Sequence, residues 1–479
     1  MSSQFEILNR IGPDNPQIKS LCFDSRQVEE GAIFFAIRGT QTDGHDYIDQ
    51  AVGSGATTVV CETIPGQPAE HISYIQVRDA AEALGWGAAA FHGNPSENIK
   101  VIGVTGTNGK TTIATLLYQL FTAAGEPAGL ISTVRNMVGN KQIPATHTTP
   151  DTLQINQMLS SMVEAGCGYC FMEVSSHAIH QKRTAGIRFE GGIFTNITHE
   201  HLDYHKTFRD YINVKKVFFD GLPATAFALV NRDDKNGKIM VQNCPAKKWT
   251  YGMQGIADVK GKLLESHLDG MHLDLDGFDF WSRLVGKFNA YNLLAVYGCS
   301  ILCGMEKERV LTLLSEQTPV EGRFETLSSD RGITGIVDYA HTPDALKNVL
   351  TAIEHLRNGN RKIITVVGAG GNRDRGKRPL MGQVAADLSQ KVILTSDNPR
   401  DEKPEEIIKQ MMAGIPDKKK NEVLSIPDRR EAIKTAVMLA SVGDIVLVAG
   451  KGHETYQEIK GTKYPFDDRE ILKDLLAGK

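Results

Sequence analysis

The segment "VIGVTGTNGKTTIATLLYQLFTAAG", Val101 to Gly125, holds the pattern on which the fold turns. "VIGVT" reads as a buried strand, a glycine-bearing turn follows, and from Lys110 the apolar residues recur at helical spacing until Gly125 marks the end. In such a strand–loop–helix unit the loop N–H groups and the helix amino terminus bind phosphate. Lys110 adds positive charge, and the Thr111 hydroxyl is placed to reach Mg²⁺. The spacing departs from G-x-x-x-x-G-K-[ST], because Val104 stands six before Lys110 and the glycines are 103, 106 and 109. The phosphate-facing set is therefore Gly106, Thr107, Asn108, Gly109, Lys110, Thr111 and Thr112.

Further strands are expected at "CFMEV", "GGIFTNI" and "FALVN", with helices near 207–222 and 288–303, giving a βαβ-rich core. Glu173 closes "CFMEV", where a carboxylate can hold Mg²⁺ as a Walker-B acid does. "NITHEHLDYH" carries His199, His201 and His205. Three histidines admit zinc, but one imidazole on a nucleotide-bound Mg²⁺ suits the phosphate loop better. Before the loop, "GAIFFAI", "ATTVVC" and "ISYIQV" indicate a small α/β domain, and "HGNPSENIK" reads as a linker. Beyond "PVEGRFE", strands "ITGIVDY", "KIITVV", "KVILT" and "DIVLVAG" alternate with helices from Pro343, near 378–388, from Pro404 and over 428–440. That alternation implies a parallel sheet covered on both faces, with ligands outside the carboxyl ends of its strands. Three turns lie there: "GAGGNRDRGKRP", "SDNPRDE" and "GKGHETY".

The expected architecture is α/β in three domains: 1–98, small and N-terminal; 99–321, a central P-loop ATPase-like parallel sheet; and 322–479, Rossmann-like. A length of 479 residues suits three cores. A net charge of −4 gives no electrostatic footprint for nucleic acid or an anionic membrane, so phosphate recognition must be local. No basic leader opens the chain and no run of about 18 apolar residues occurs. A cytoplasmic protein is expected. Seven cysteines, scattered and odd in number, indicate reduced thiols; Cys167 and Cys170 read as buried residues rather than metal ligands.

"GTNGKTT", "MEVSSHA", "TNITHEHLD", "GKFNAYN", "EGRFE" and "DYAHTPDAL" occur in the order seen in the Mur ligases, and the chain resembles that family over nearly its whole length. The resemblance implies an ATP-dependent amide ligase of peptidoglycan precursor synthesis that phosphorylates a carboxylate and lets an amine displace phosphate. The acceptor implied is UDP-N-acetylmuramoyl-L-alanyl-D-glutamate, with Mg²⁺ at two sites. By resemblance Lys110, Glu173, His201 and Lys215 are catalytic, and Thr111, Glu173 and His201 bind metal. Lys215 matches a lysine carbamylated by CO₂ or bicarbonate, whose carbamate serves the second Mg²⁺. Asn289, Asn292, Arg323 and Asp338 match positions around the nucleotide. Ser25, Thr148, Thr149, Ser175, Gln181 and Arg183 match positions for the UDP-sugar peptide. A monomer is expected.

The choice of incoming amino acid is a question of charge. L-lysine ends in a lone ammonium, meso-diaminopimelate in an ammonium and a carboxylate. Asp397 and Glu454 can accept from the ammonium, while Arg400 and Arg373 can take carboxylates. Asn398 and Pro399 would hold the turn and Gly450 would allow close approach. In the family "DNPR" accompanies diaminopimelate, so that substrate is expected over L-lysine. A folylpolyglutamate synthetase-like ligase, a non-catalytic nucleotide-binding module and a P-loop kinase are the other readings.

Overall fold

A computed structural model of the chain describes every residue except 1–5, 15–16, 41, 146, 199, 201, 358–360 and 479. Among the described residues, three large sheets follow one another along the chain. In the first, Ser20–Cys22, Ala32–Phe35, Ala56–Cys61 and Ser73–Val77 run parallel, with Ile7–Ile11 antiparallel at the edge.

The middle sheet is built on Lys100–Thr105, the strand that begins the phosphate loop. It lies between Tyr169–Glu173 and Phe189–Phe194, both parallel to it. Ala128–Ile131 continues the parallel order on one side, Phe227–Asn231 and Lys247–Gly252 on the other. Both faces are covered. Helix Lys110–Ala123 contributes Ile113, Leu117 and Leu120 to one core, and helices Thr152–Glu164 and Phe208–Asp220 close the other with Ile155, Leu159 and Phe219. Burial on both faces is why the central strand reads as a continuous apolar run rather than an alternation.

Two glycines set how close one helix comes. A Cβ at Gly103 would lie 2.6 Å from the Phe218 ring, and one at Gly192 would lie 2.8 Å from it. Their absence lets helix Phe208–Asp220 settle onto the sheet, which brings Lys215 to the phosphate loop.

The third sheet has the order Glu325–Ser328, Thr334–Asp338, Ile445–Ala449, Ile363–Ala369, Lys391–Ser396, Val423–Ser425 and is parallel except for its first pair. The four strands expected here lie where the sequence puts them.

Several elements were not expected. Residues 259–282 form an antiparallel meander on the middle sheet, and Tyr456–Ile459 pairs with Thr462–Pro465 as a separate hairpin. The segment read as a linker is not loose either. Ser96 is buried and its Oγ accepts from Arg188 N at 3.0 Å, because Pro95–Glu97 folds as a 3-10 turn against the middle domain. No helix is long and apolar enough to cross a membrane, among the described residues. All seven cysteines are free, and six of them, including Cys167 and Cys170, are buried.

Candidate active site

The loop between Thr105 and Lys110 is held open by its backbone. Gly106 and Gly109 have φ of +149° and +91°, and a Cβ at Gly106 would strike the Thr195 hydroxyl. Neighbouring groups fix each loop residue. Asn108 N donates to Asn196 Oδ1, Thr195 Oγ1 donates to Asn108 O, and Thr107 Oγ1 meets the Tyr211 hydroxyl at 3.1 Å. Lys110 Nζ donates to Gly106 O and Thr107 O at 2.9 and 2.8 Å, so the ammonium lies within the loop it serves. Thr111 and Thr112 open the helix and are buried.

Glu173 stands beside this loop at 1% exposure. Its Oε1 accepts from Thr133 N at 2.7 Å, and its Oε2 is buried with no partner among the described residues. A buried carboxylate oxygen without a donor is costly unless a cation takes it. An orphaned carboxylate oxygen of this kind fits a divalent cation of the hard, oxygen-preferring type. His199 and His201 lie outside the described residues, so the imidazole expected at His201 has no geometry here. His205 is buried, with Nε2 at 2.9 Å from Ser176 Oγ.

Lys215 Nζ is buried and donates to Gly106 O at 2.9 Å. Burial pushes its pKa well below the usual lysine value, and nearby Lys110 pushes in the same direction. A neutral amine is the form that adds CO₂.

On the nucleotide side, Asn289 and Asn292 are joined, Nδ2 of Asn292 donating to Oδ1 of Asn289 at 2.9 Å. Asn289 also donates to Val285 O, so its amide is spent on the helix, whereas Asn292 Oδ1 faces Gly109. Arg323 stacks on Tyr339 with its guanidinium 4.4 Å from the ring centre and donates to Thr111 Oγ1 at 3.1 Å. Asp338 proves to be a structural acceptor as well as a strand-end acid. Its oxygens take Phe324 N and Ala340 N at 2.7 and 2.8 Å, and burial raises its pKa to about 6.

The residues expected to bind the UDP-sugar peptide separate into two places. Arg183 donates to Thr149 O and, through two nitrogens, to Gln181 Oε1. Thr149 Oγ1 donates to Glu173 O and accepts from Ser175 N, while Thr148 meets Thr133 Oγ1. Five of the six therefore form one cluster beside Glu173. Ser25 belongs to the first sheet's surroundings, where its Oγ donates to Gln50 Oε1.

The residues expected to bind the incoming amino acid gather at the strand ends of the third sheet. Asp397 is buried, accepts from Asn398 N through Oδ1 and leaves Oδ2 without a hydrogen-bond partner among the described residues. A Cβ at Gly450 would lie 2.6 Å from that oxygen, so the glycine is what admits it. Arg429 and Lys451 hold the Asp397 carboxyl below its usual range against the opposing effect of burial. Asn398 does more than form the turn: Nδ2 donates to Glu454 Oε2, and Oδ1 accepts from Lys451 Nζ and Glu458 N. Pro399 O accepts from Glu402 N. Arg400 is held by Glu458 and Gly371, while Arg373 is exposed and makes no hydrogen bond or ion pair among the described residues.

Family models match this chain over three segments: the Mur ligase family catalytic domain at residues 17–92, the Mur ligase middle domain at 104–300 and the Mur ligase glutamate ligase domain at 322–452. A UDP-N-acetylmuramoyl-L-alanyl-D-glutamate–2,6-diaminopimelate ligase of Cytophaga hutchinsonii is 56% identical, over 98% of this chain and 97% of its own. That of Phocaeicola vulgatus is 55% identical over 98% and 97%. The chain belongs to the Mur ligase family. A solved structure of a ligase with the same description superposes with a TM-score of 0.67 at 33% identity, covering 96% of this chain and 94% of that one.

Three residues in contact with the expected site residues were not singled out from sequence: Lys451, Glu458 and Asp344. Lys451 is fully buried between Asn398 and Glu454. Asp344 Oδ2 accepts from Asn108 Nδ2 and Thr198 Oγ1, tying the third sheet's first helix to the phosphate loop. Lys451 stands inside the quoted "GKGHETY" and Asp344 inside "DYAHTPDAL", so the motifs signalled both; nothing local signalled Glu458.

Proposed function

We propose that this Mur ligase joins meso-diaminopimelate to UDP-N-acetylmuramoyl-L-alanyl-D-glutamate with cleavage of ATP to ADP and phosphate. The observation that carries the reading is the Asp397–Arg400 turn, where an unpartnered buried carboxylate oxygen and a tethered guanidinium lie three residues apart. An amino acid bearing both charges at its far end satisfies both; L-lysine satisfies only the acid.

The division of labour follows the chain: 1–98 with the UDP-sugar peptide, 99–321 with ATP and 322–479 with the amino acid. The loop amides from Gly106 to Thr112, with Lys110, hold the phosphates, and Arg323 faces them from the third domain. Asn292 and Asp338 border the nucleoside. Thr148, Thr149, Ser175, Gln181 and Arg183 orient the acceptor peptide, and Ser25 its distant end. Thr111, Glu173 and His201 would hold one Mg²⁺ and Lys215, once carbamylated, a second, and the ions would supply the positive charge that lets two anions meet. The acceptor carboxylate takes the γ-phosphoryl group as ADP leaves. The amine then adds to the acyl phosphate, and the tetrahedral intermediate expels phosphate to leave an amide. On this reading the protein works as a monomer in the cytoplasm, where ATP and UDP-linked precursors are found.

The test is phosphate release from ATP, Mg²⁺, bicarbonate and the UDP-dipeptide with the amine present or withheld. Strict dependence on the amine is expected. Release without amine would point to a phosphorylated end product and a kinase.

A further inference from the structure

Arg400 adopts a backbone conformation that an arginine rarely takes. Its φ is +50°, in the left-handed region, where a residue with a side chain is strained by about 1 kcal/mol or more and persists only when its surroundings hold it. The hairpin of Tyr456–Ile459 and Thr462–Pro465 does the holding. Arg400 N donates to Glu458 O at 3.0 Å and Lys460 N donates to Arg400 O at 2.9 Å, an isolated parallel bridge centred on Ile459. The side chain is held from the same strand. Glu458 Oε2 accepts from Arg400 Nε at 3.0 Å, and Gly371 O accepts from its NH1 at 2.9 Å. Arg400 and Glu458 side chains are 21% and 24% exposed, a partly dry setting in which such a pair keeps its geometry.

The atoms used decide what remains. Glu458 occupies Nε, on the flank of the guanidinium, so the edge formed by NH1 and NH2 keeps donors for a second carboxylate. NH2 has no protein acceptor among the described residues. A planar fork fixed at one flank presents the other in a set direction, which a free arginine would have to pay for in rotamer entropy on binding.

We infer that Glu458 is the positioning residue for amino-acid selection: it orients Arg400 so that the fork's free edge receives the far carboxylate of the incoming diamino acid. This rests on the diaminopimelate reading above. Glu458 touches the arginine and not the substrate; its hairpin is the clamp.

The test measures KM for meso-diaminopimelate, ATP and the UDP-dipeptide in wild type, Glu458→Ala and Glu458→Gln, with thermal melting of each. Glu458→Ala should raise KM for diaminopimelate roughly tenfold, the value of one charge-assisted hydrogen bond, with the other two unchanged. Glu458→Gln, which still accepts from Nε, should recover most of that loss. A diaminopimelate KM unchanged in Glu458→Ala overturns the inference. So does an equal rise for all three substrates, or a rise that tracks a fall in melting temperature and is not recovered by glutamine. Should wild type turn over L-lysine and not diaminopimelate, the substrate reading itself fails, and that result is distinct from any variant's behaviour.

Discussion

Asp338 shows how burial couples one residue to pH. Its carboxyl is raised to about 6 chiefly by burial, against the pull of Arg323 and of two backbone N–H donors. A raised pKa means that the folded chain holds the proton more tightly than the unfolded chain. The stability this gives is complete below the ordinary carboxyl range near pH 4 and is lost as pH rises through about 6. On the proposed reading, in which Asp338 borders the nucleoside, the nucleotide needs the opposite form, because only the ionised acid is a full acceptor for a sugar hydroxyl. The kcat/KM for ATP should therefore fall about tenfold per pH unit below pH 6, and Asp338→Asn should flatten that limb while lowering the plateau. A limb unchanged in the variant would assign it to another group.

At this scale the sequence was informative about residue types and poor about partners. "GTNGKTT" gives a phosphate loop because its glycines, lysine and threonines have few other uses together. Asn289 and Asp338 could be placed near the nucleotide by resemblance, but no spacing predicts that an amide is spent on Val285 O or a carboxylate on Phe324 N. Those bonds depend on how a helix and a turn meet in space.

At the scale of elements, one buried ion pair holds the proposed amino-acid site in shape. Arg429, at the start of helix Arg429–Leu439, donates to both oxygens of Asp468, at the start of helix Asp468–Leu476, at 2.8 and 2.7 Å, and both side chains are fully buried. The same guanidinium donates to Ser396 O and Ala449 O, joining the strand ends that precede Asp397 and Gly450. Arg429→Met leaves a buried carboxylate unpaired and should cost about 3–5 kcal/mol, read as a lower urea midpoint. The double variant Arg429→Met, Asp468→Leu should lose less than the single one. A double variant as unstable as the single would show that the helices pack by other means.

Which elements were legible follows from their burial. Strands such as Ile445–Ala449 are buried along their whole length, so a short apolar run bounded by turn residues identifies them. The strand Val259–His267 is mostly exposed after its first residues and gives the core little beyond Val259 and Leu263, and the hairpin strand Thr462–Pro465 is exposed throughout, so neither offers a long apolar run to read. The hairpin that clamps Arg400 was invisible for this reason.

Over the whole molecule, the central and C-terminal domains meet across the phosphate loop. Asp344 bridges to Asn108 and Thr198, Arg323 reaches Thr111, and Glu321 lies within 3.7 Å of Arg135 and 3.4 Å of Arg469. At the crossing, Gly322 has φ of +65° and lies against the His453 backbone so closely that a Cβ would not fit. The proposed chemistry requires such a meeting, since ATP, the acceptor carboxylate and the incoming amine must lie within bonding distance although, on that proposal, separate domains hold them. The three-domain order was legible from alternation and linker composition. The contacts across it were not, because the Asn108–Asp344 bond joins residues 236 positions apart.

The central claim is that this arrangement selects an amino acid with both charges at its far end. It is tested most directly by incubating the protein with ATP, Mg²⁺, bicarbonate and UDP-N-acetylmuramoyl-L-alanyl-D-glutamate, with meso-diaminopimelate or L-lysine in parallel, and weighing the products. The account predicts the diaminopimelate adduct, with lysine turned over at least about a hundredfold more slowly because it leaves Arg400 without a partner. Equal turnover of the two, or a lysine adduct alone, would contradict it.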